Sequence, residues 1–134
     1  MITLEQAKKA VAVAEEKAKG FGVPVSTAVV DEYGVLVAFS KMDGALVVSP
    51  EFAFRKAYTS ATLQMPSGTV AEYAYEGKPY FSVNTAFKGK YLLIAGGVPV
   101  QQGGKVVGAV GVGGSKNVSE DLECAKAAAA VLSM

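Results

Sequence analysis

The stretch GGKVVGAVGVGGSK, Gly103–Lys116, concentrates much of the chain's glycine and admits two readings. One is a loop that cradles phosphate. The other is a strand that something must approach closely. A Walker-type loop needs a lysine and then Ser or Thr directly after its last glycine, because that lysine reaches the terminal phosphates. Gly108 and Gly113 have the right separation, but Gly114 and Ser115 follow them. The dinucleotide fingerprint fails as well. Gly111 and Gly113 supply G-x-G, and Lys116 stands where the third glycine belongs.

As a strand the stretch makes better sense, because successive side chains face opposite sides. Val106, Gly108, Val110 and Val112 make one apolar face; Val107, Ala109, Gly111 and Gly113 make an almost bare one. Glycine inside a strand marks close approach by a backbone or a ligand. The expected neighbour is the alanine-rich helix that follows Ser119, whose small side chains would let it lie close. That packing explains the glycines without any ligand.

Working outward, Thr3 and Gln6 form a capping box ahead of a first helix with Leu4, Ala7, Val11, Ala14 and Ala18 on its apolar stripe, ended by Gly20 or Gly22. Pro24–Asp31 and Val35–Lys41 read as a hairpin across DEYG. Ser49 reads as an N-cap and Pro50 as the first residue of a second helix that runs to about Gln64. A short helix over Ser67–Tyr75 follows, and then an irregular, aromatic and lysine-rich segment from Glu76 to Tyr91. YLLIAGGVPVQQGGKVVGAVGV reads as three short strands. Five strands joined largely by hairpins predict an α+β fold (α/β in the broad sense), an antiparallel sheet flanked by helices, in one domain over 1–134.

Composition narrows the function. The chain has 134 residues, 51% of them hydrophobic, and a formal net charge of +1. That charge favours neither nucleic acid nor an anionic membrane. No apolar run approaches the ~20 residues that span a bilayer, and MITLEQAKKA lacks a signal-peptide core. The expectation is a cytoplasmic protein with no nucleic-acid or membrane partner. With no histidine and one cysteine, Cys124, the usual zinc sites and a Ser-His-Asp triad are excluded. Acid–base chemistry would fall to Asp, Glu, Lys, Tyr or Cys.

Several phrases in order resemble the GlcG/HbpS-like family: TAVVDEYGVLVAFSKMDGA, SPEFAFRKAYTSAT, AGGVPVQQGGKVVGAVGVGG and SEDLECAKAAA. The resemblance covers nearly the whole chain. It implies a profilin-like fold with a five-stranded antiparallel sheet, and homo-oligomers. Some relatives bind haem, among them secreted HbpS-type proteins and the C-terminal domain of PduO-type corrinoid adenosyltransferases; others sit with small-organic-acid metabolism. The absence of histidine departs from the haem picture and leaves Met42, Met65, Tyr80 and Cys124 as the classes of iron ligand.

The candidate site residues carry alternatives. Lys56, at the rim of the stripe Ala53, Ala57, Ser60 and Ala61, either points into a pocket to bind a carboxylate or lays its stem over the core with its charge in water. Arg55, about 100° away on the helix, belongs at the surface or a subunit contact. Asp43 in MDG is a turn former or a polar pocket wall. Gly96 and Gly97 either expose backbone N–H groups to an anionic oxygen or make a β-bulge. Glu120 and Asp121 suit the first turn of a helix on dipole grounds alone, and the family resemblance adds Asp121 to the candidates. Tyr80 and Phe81, with Phe87 and Tyr91, wall a pocket or an interface. The expected function is binding of a small ligand, a haem-like tetrapyrrole or a small organic carboxylate, by a homo-oligomer. The alternatives are a cofactor-independent lyase or tautomerase on a small acid, and a purely structural subunit.

Overall fold

The computed structural model describes residues 1–133. Helix α1 spans Leu4–Phe21, strands β1 and β2 span Ser26–Asp31 and Leu36–Lys41, and helix α2 spans Ser49–Leu63. A four-residue helix α3, Ser67–Val70, leads into short 3-10 turns; β3 (Gly97–Gln102), β4 (Lys105–Gly113) and α4 (Val118–Leu132) complete the chain. The Thr3–Gln6 capping box is formed, and Gly22 closes α1 in a left-handed conformation at φ 72°. Leu4 is exposed, and Ala10 takes its place on the buried stripe. Asn117 caps α4, not Ser119: its side chain accepts the Ser119 N–H at 3.1 Å. At α2 the Ser49 hydroxyl is not a cap, because it is spent on a buried 2.8 Å bond with Ser26 Oγ.

The sheet has four strands among the described residues, in the order β2-β1-β4-β3 with every pairing antiparallel. The expected fifth strand, over Tyr91–Ile94, does not form. Its backbone groups find side chains instead: the Leu92 N–H donates to Thr59 Oγ1 at 2.9 Å, and the Ile94 carbonyl accepts from Ser67 Oγ at 2.6 Å. Segments whose polar groups are satisfied this way have no need of a ladder.

The glycine-rich stretch is the central strand β4, and its two faces differ as expected. Val110 and Val112 pack with Val29, Val100 and the alanine stripes of α1 and α4. Ala109 and the glycines face Ala28, Val30 and the Ala53–Ala57–Ala61 stripe of α2. The helix on the bare face is therefore α2, not the alanine-rich α4. A Cβ on Gly111 would strike the Ala53 carbonyl and Ala57 N, and one on Gly113 would lie 2.8 Å from Phe52 Cβ. Both helices carry small stripes, and the pattern alone does not tell them apart. A bulge also moves one residue: Val100 pairs with Gly108 and Gln101 with Val106, so Val107 is the extra residue and packs on the valine core, not on the bare face.

Candidate functional site

Lys56 leaves the inner face of α2 and runs past the start of β3. Its side chain is fully buried, which excludes the reading in which its charge stays in water. Nζ donates to the Val112 carbonyl at 2.9 Å and to Asp121 Oδ2 at 3.2 Å, with the Phe52 ring centroid 5.6 Å away. Gly96 and Gly97 make this passage possible. A Cβ on Gly96 would stand 2.7 Å from Lys56 Nζ, and one on Gly97 would collide with the Lys56 carbonyl. Both glycines are buried, so they do not offer N–H groups to a solvent-borne anion. The Gly97 N–H is already donated to Ser67 Oγ at 2.8 Å.

Asp121 does more than offset a helix dipole. It is 1% exposed, and its Oδ1 accepts the Ser115 N–H at 3.0 Å while Oδ2 takes the lysine. Burial pushes the Lys56 ammonium below its ordinary pKa, against the pull of Asp121. Burial likewise pushes the Asp121 carboxyl up, against the pull of Lys56 and the Ser115 N–H. The pair joins the helix on one face of the sheet to the helix on the other. Ser67 and Ser115 are the members of this cluster that sequence reasoning missed; single serines carry no spacing signal.

Of the seven candidate residues, Lys56, Gly96, Gly97 and Asp121 thus come together. The other three stand elsewhere. Asp43 is exposed in the turn after β2. Tyr80 and Phe81 lie on the outer segment between the 3-10 turns Ala71–Tyr73 and Val83–Lys88, 43% and 58% exposed. Arg55 bonds Glu51 at 2.9 Å and the Gly89 carbonyl at 3.1 Å, which ties α2 to the end of that segment. A shallow groove lined by Val13, Glu16, Lys17 and Ala127 shares no residue with either cluster.

The outer segment is unusual in two respects. Tyr73, Tyr75, Tyr80, Phe81 and Phe87 all expose between 43% and 67% of their surface. Ser82, Phe87 and Lys88 hold left-handed backbone at φ 74°, 52° and 62°, a conformation that costs a non-glycine residue energy. Nothing in the sequence marks that strain, because none of the three is glycine. The lysines are placed on rings: Lys78 Nζ is 5.2 Å from the Tyr75 centroid, and Lys90 Nζ is 4.4 Å from that of Tyr58.

A family model described as haem degrading protein HbpS-like matches residues 2–130. The chain belongs to the HbpS-like family. GlcG of Escherichia coli K12 is 35% identical over 114 residues, which cover 84% of this chain and 81% of that protein. The crystal structure of Klebsiella pneumoniae ORFY superposes with a TM-score of 0.93 at 30% identity, over 98% of this chain and 90% of that one. The crystal structure of a PduOC–haem complex superposes at 0.86 and 28% identity, over 96% of this chain and 90% of that one. This HbpS-like chain has, among its described residues, no cluster of His, Cys, Asp and Glu able to hold a metal ion, and no helix long and apolar enough to cross a membrane.

Proposed function

We propose that this HbpS-like chain binds a small ligand as a homo-oligomer, and that the ligand is a flat tetrapyrrole of haem type held on the outer segment, with a small organic carboxylate as the alternative ligand. One observation carries the reading: aromatic side chains from Tyr73 to Phe87 stay largely exposed on a strained backbone that also carries Lys78, Lys88 and Lys90. Exposed apolar surface of this kind is characteristic of a binding site. Flat rings suit a macrocycle, and ammonium groups suit its propionates. A PduOC neighbour of the same fold is described in complex with haem.

The residues fit the porphyrin better than they fit a histidine-type iron site, since the chain has no histidine. In this reading Tyr80 and Phe81 touch the ligand. Lys56, Gly96, Gly97 and Asp121 hold the frame, because a fully buried ammonium has no face left for a carboxylate. That burial also removes the support for a lyase or tautomerase built on Lys56.

Hemin titration followed at the Soret band tests the ligand, and light scattering at micromolar concentration tests the assembly. The expected results are a saturable Soret shift without the low-spin spectrum of bis-histidine ligation, and a mass of at least a dimer. An unshifted Soret band overturns the tetrapyrrole reading; a clean monomer mass overturns the assembly.

A further inference from the structure

We infer that the free edge of β2 is a contact surface for a second copy of this chain, which pairs with it antiparallel across a two-fold axis and joins the two four-stranded sheets into one. The inference rests on the homo-oligomer reading above and names the face that carries the assembly.

The sheet ends in two edge strands, β2 and β3. Residues of an antiparallel strand alternate between bonding to their neighbour and turning their N–H and C=O outward. In β3 the Gly96 carbonyl accepts the Val112 N–H at 2.9 Å, so Gly97 and Pro99 are outward residues. The Gly97 N–H is spent on Ser67 Oγ, and Pro99 has no N–H. That edge is closed to a further strand. In β2 the Met42 N–H donates to the Val25 carbonyl at 3.0 Å, and the register continues through Ser40 and Ala38. Phe39 and Lys41 therefore turn their backbone groups outward, and neither is proline.

The side chains beside the open edge are apolar. Leu36 and Phe39 pair with Val30 and Ala28, so they share the α2 face of the sheet. Helix α2 lies over β1 and β4 and leaves the two 46% and 40% exposed. An edge of this composition invites another strand. Charge says which strand. Lys41 stands exposed at one end of β2, and Glu32 stands exposed in the turn at the other. Among the described residues neither forms an ion pair. Antiparallel pairing sets each Lys41 toward Glu32 of the other copy, whereas parallel pairing sets like charges together. The surface is thus self-complementary, as a two-fold contact requires. The joined sheet grows no further, because the edges left over are the two closed β3 strands.

The test is analytical ultracentrifugation of the full chain at micromolar concentration. The parent should sediment as a dimer or larger. Phe39→Pro removes an outward N–H that the ladder within the chain does not use, and Leu36→Lys/Phe39→Lys puts charge on the apolar edge. Each should show at most half the parent's mass while its circular dichroism stays that of the parent; if Phe39→Pro does not fold, the lysine variant decides. Lys41→Glu should dissociate as well, and Glu32→Lys/Lys41→Glu should reassociate. The parent's mass in a folded edge variant overturns the β2 contact and leaves a homo-oligomer built on another face. A charge reversal that does not restore the assembly overturns the antiparallel second copy. A monomeric parent overturns both the contact and the homo-oligomer reading.

Discussion

Lys56 Nζ lies 3.2 Å from Asp121 Oδ2, and neither side chain reaches solvent by more than 1% of its surface. The two residues come from helices on opposite faces of the sheet. The pair crosses where Gly96 and Gly97 clear the way. It is a tie between layers, and removing either partner leaves the other buried and unpaired.

Removing one partner should therefore be costly. Lys56→Met strands a buried carboxylate, and breaking a buried pair typically costs ~3–5 kcal/mol. Urea denaturation should register a loss of that order. The double variant Lys56→Met/Asp121→Leu should recover much of it, since no charge is then left unpaired. A double variant no more stable than Lys56→Met would mean that packing, not charge, sets the cost.

The pair also sets a pH dependence. Burial raises the folded-state pKa of Asp121 above its ordinary 3.8. From 3.8 upward to that raised value the folded chain holds a proton that the unfolded chain has released, so this contribution to stability falls as pH rises. Lys56 is lowered from 10.5, so between its lowered value and 10.5 its contribution grows with pH. Asp121→Asn lacks the acid-side titration. The stability of the parent relative to Asp121→Asn should increase on acidification from neutrality toward pH 4 in parallel urea melts. A decrease would mean that the Lys56 charge outweighs burial at Asp121.

Gly111→Val should lower the thermal midpoint of the protein without any ligand. The new side chain would enter the contact between β4 and the backbone of α2 at Ala53 and Ala57. Overpacking of this kind typically costs ~1–3 kcal/mol. The parent should show no midpoint shift with ATP or NAD. An unchanged midpoint in the variant, or a nucleotide shift in the parent, would speak for a phosphate loop.

Ser82→Gly should hold or raise stability, because glycine adopts the φ of 74° without the ~1–2 kcal/mol cost that an L side chain incurs there. Its greater unfolded-state entropy offsets ~0.5–1 kcal/mol of that gain. Calorimetry on the isolated protein reads the balance. A clear drop in the midpoint would show that the Ser82 side chain itself supports the segment.

Much of the fold was legible because it rests on local chemistry. The capping box, the αL glycine at Gly22 and the valine–glycine alternation of β4 each act within a few residues: the box formed as read, Gly22 is the one of the two offered glycines that closes α1, and the alternation holds from Gly108 to Gly113, with Val107 displaced by the bulge. The fifth strand was misread because LLI followed by AGG has strand composition. Whether it pairs is decided by Thr59 and Ser67, which lie well before it in the chain. The candidate site divided the same way. The lysine and the glycine pair were expected near one site, but together with the aromatic segment, and Asp121 was singled out apart from them; its union with Lys56 across the sheet was not visible in any spacing.

By itself the sequence determined the class of fold, the central strand with one bare face, the family, and the absence of histidine chemistry. These follow from periodicity, motif order and composition, which are properties of the chain before it folds. Tertiary structure alone decided that α2 rather than α4 lies on the glycines, that Lys56 is buried against Asp121, and that the aromatic segment stays open on strained backbone. Each of those depends on contacts between residues distant in sequence. Two helices with equally small stripes compete for one bare face, and only the packing of the whole sheet selects between them.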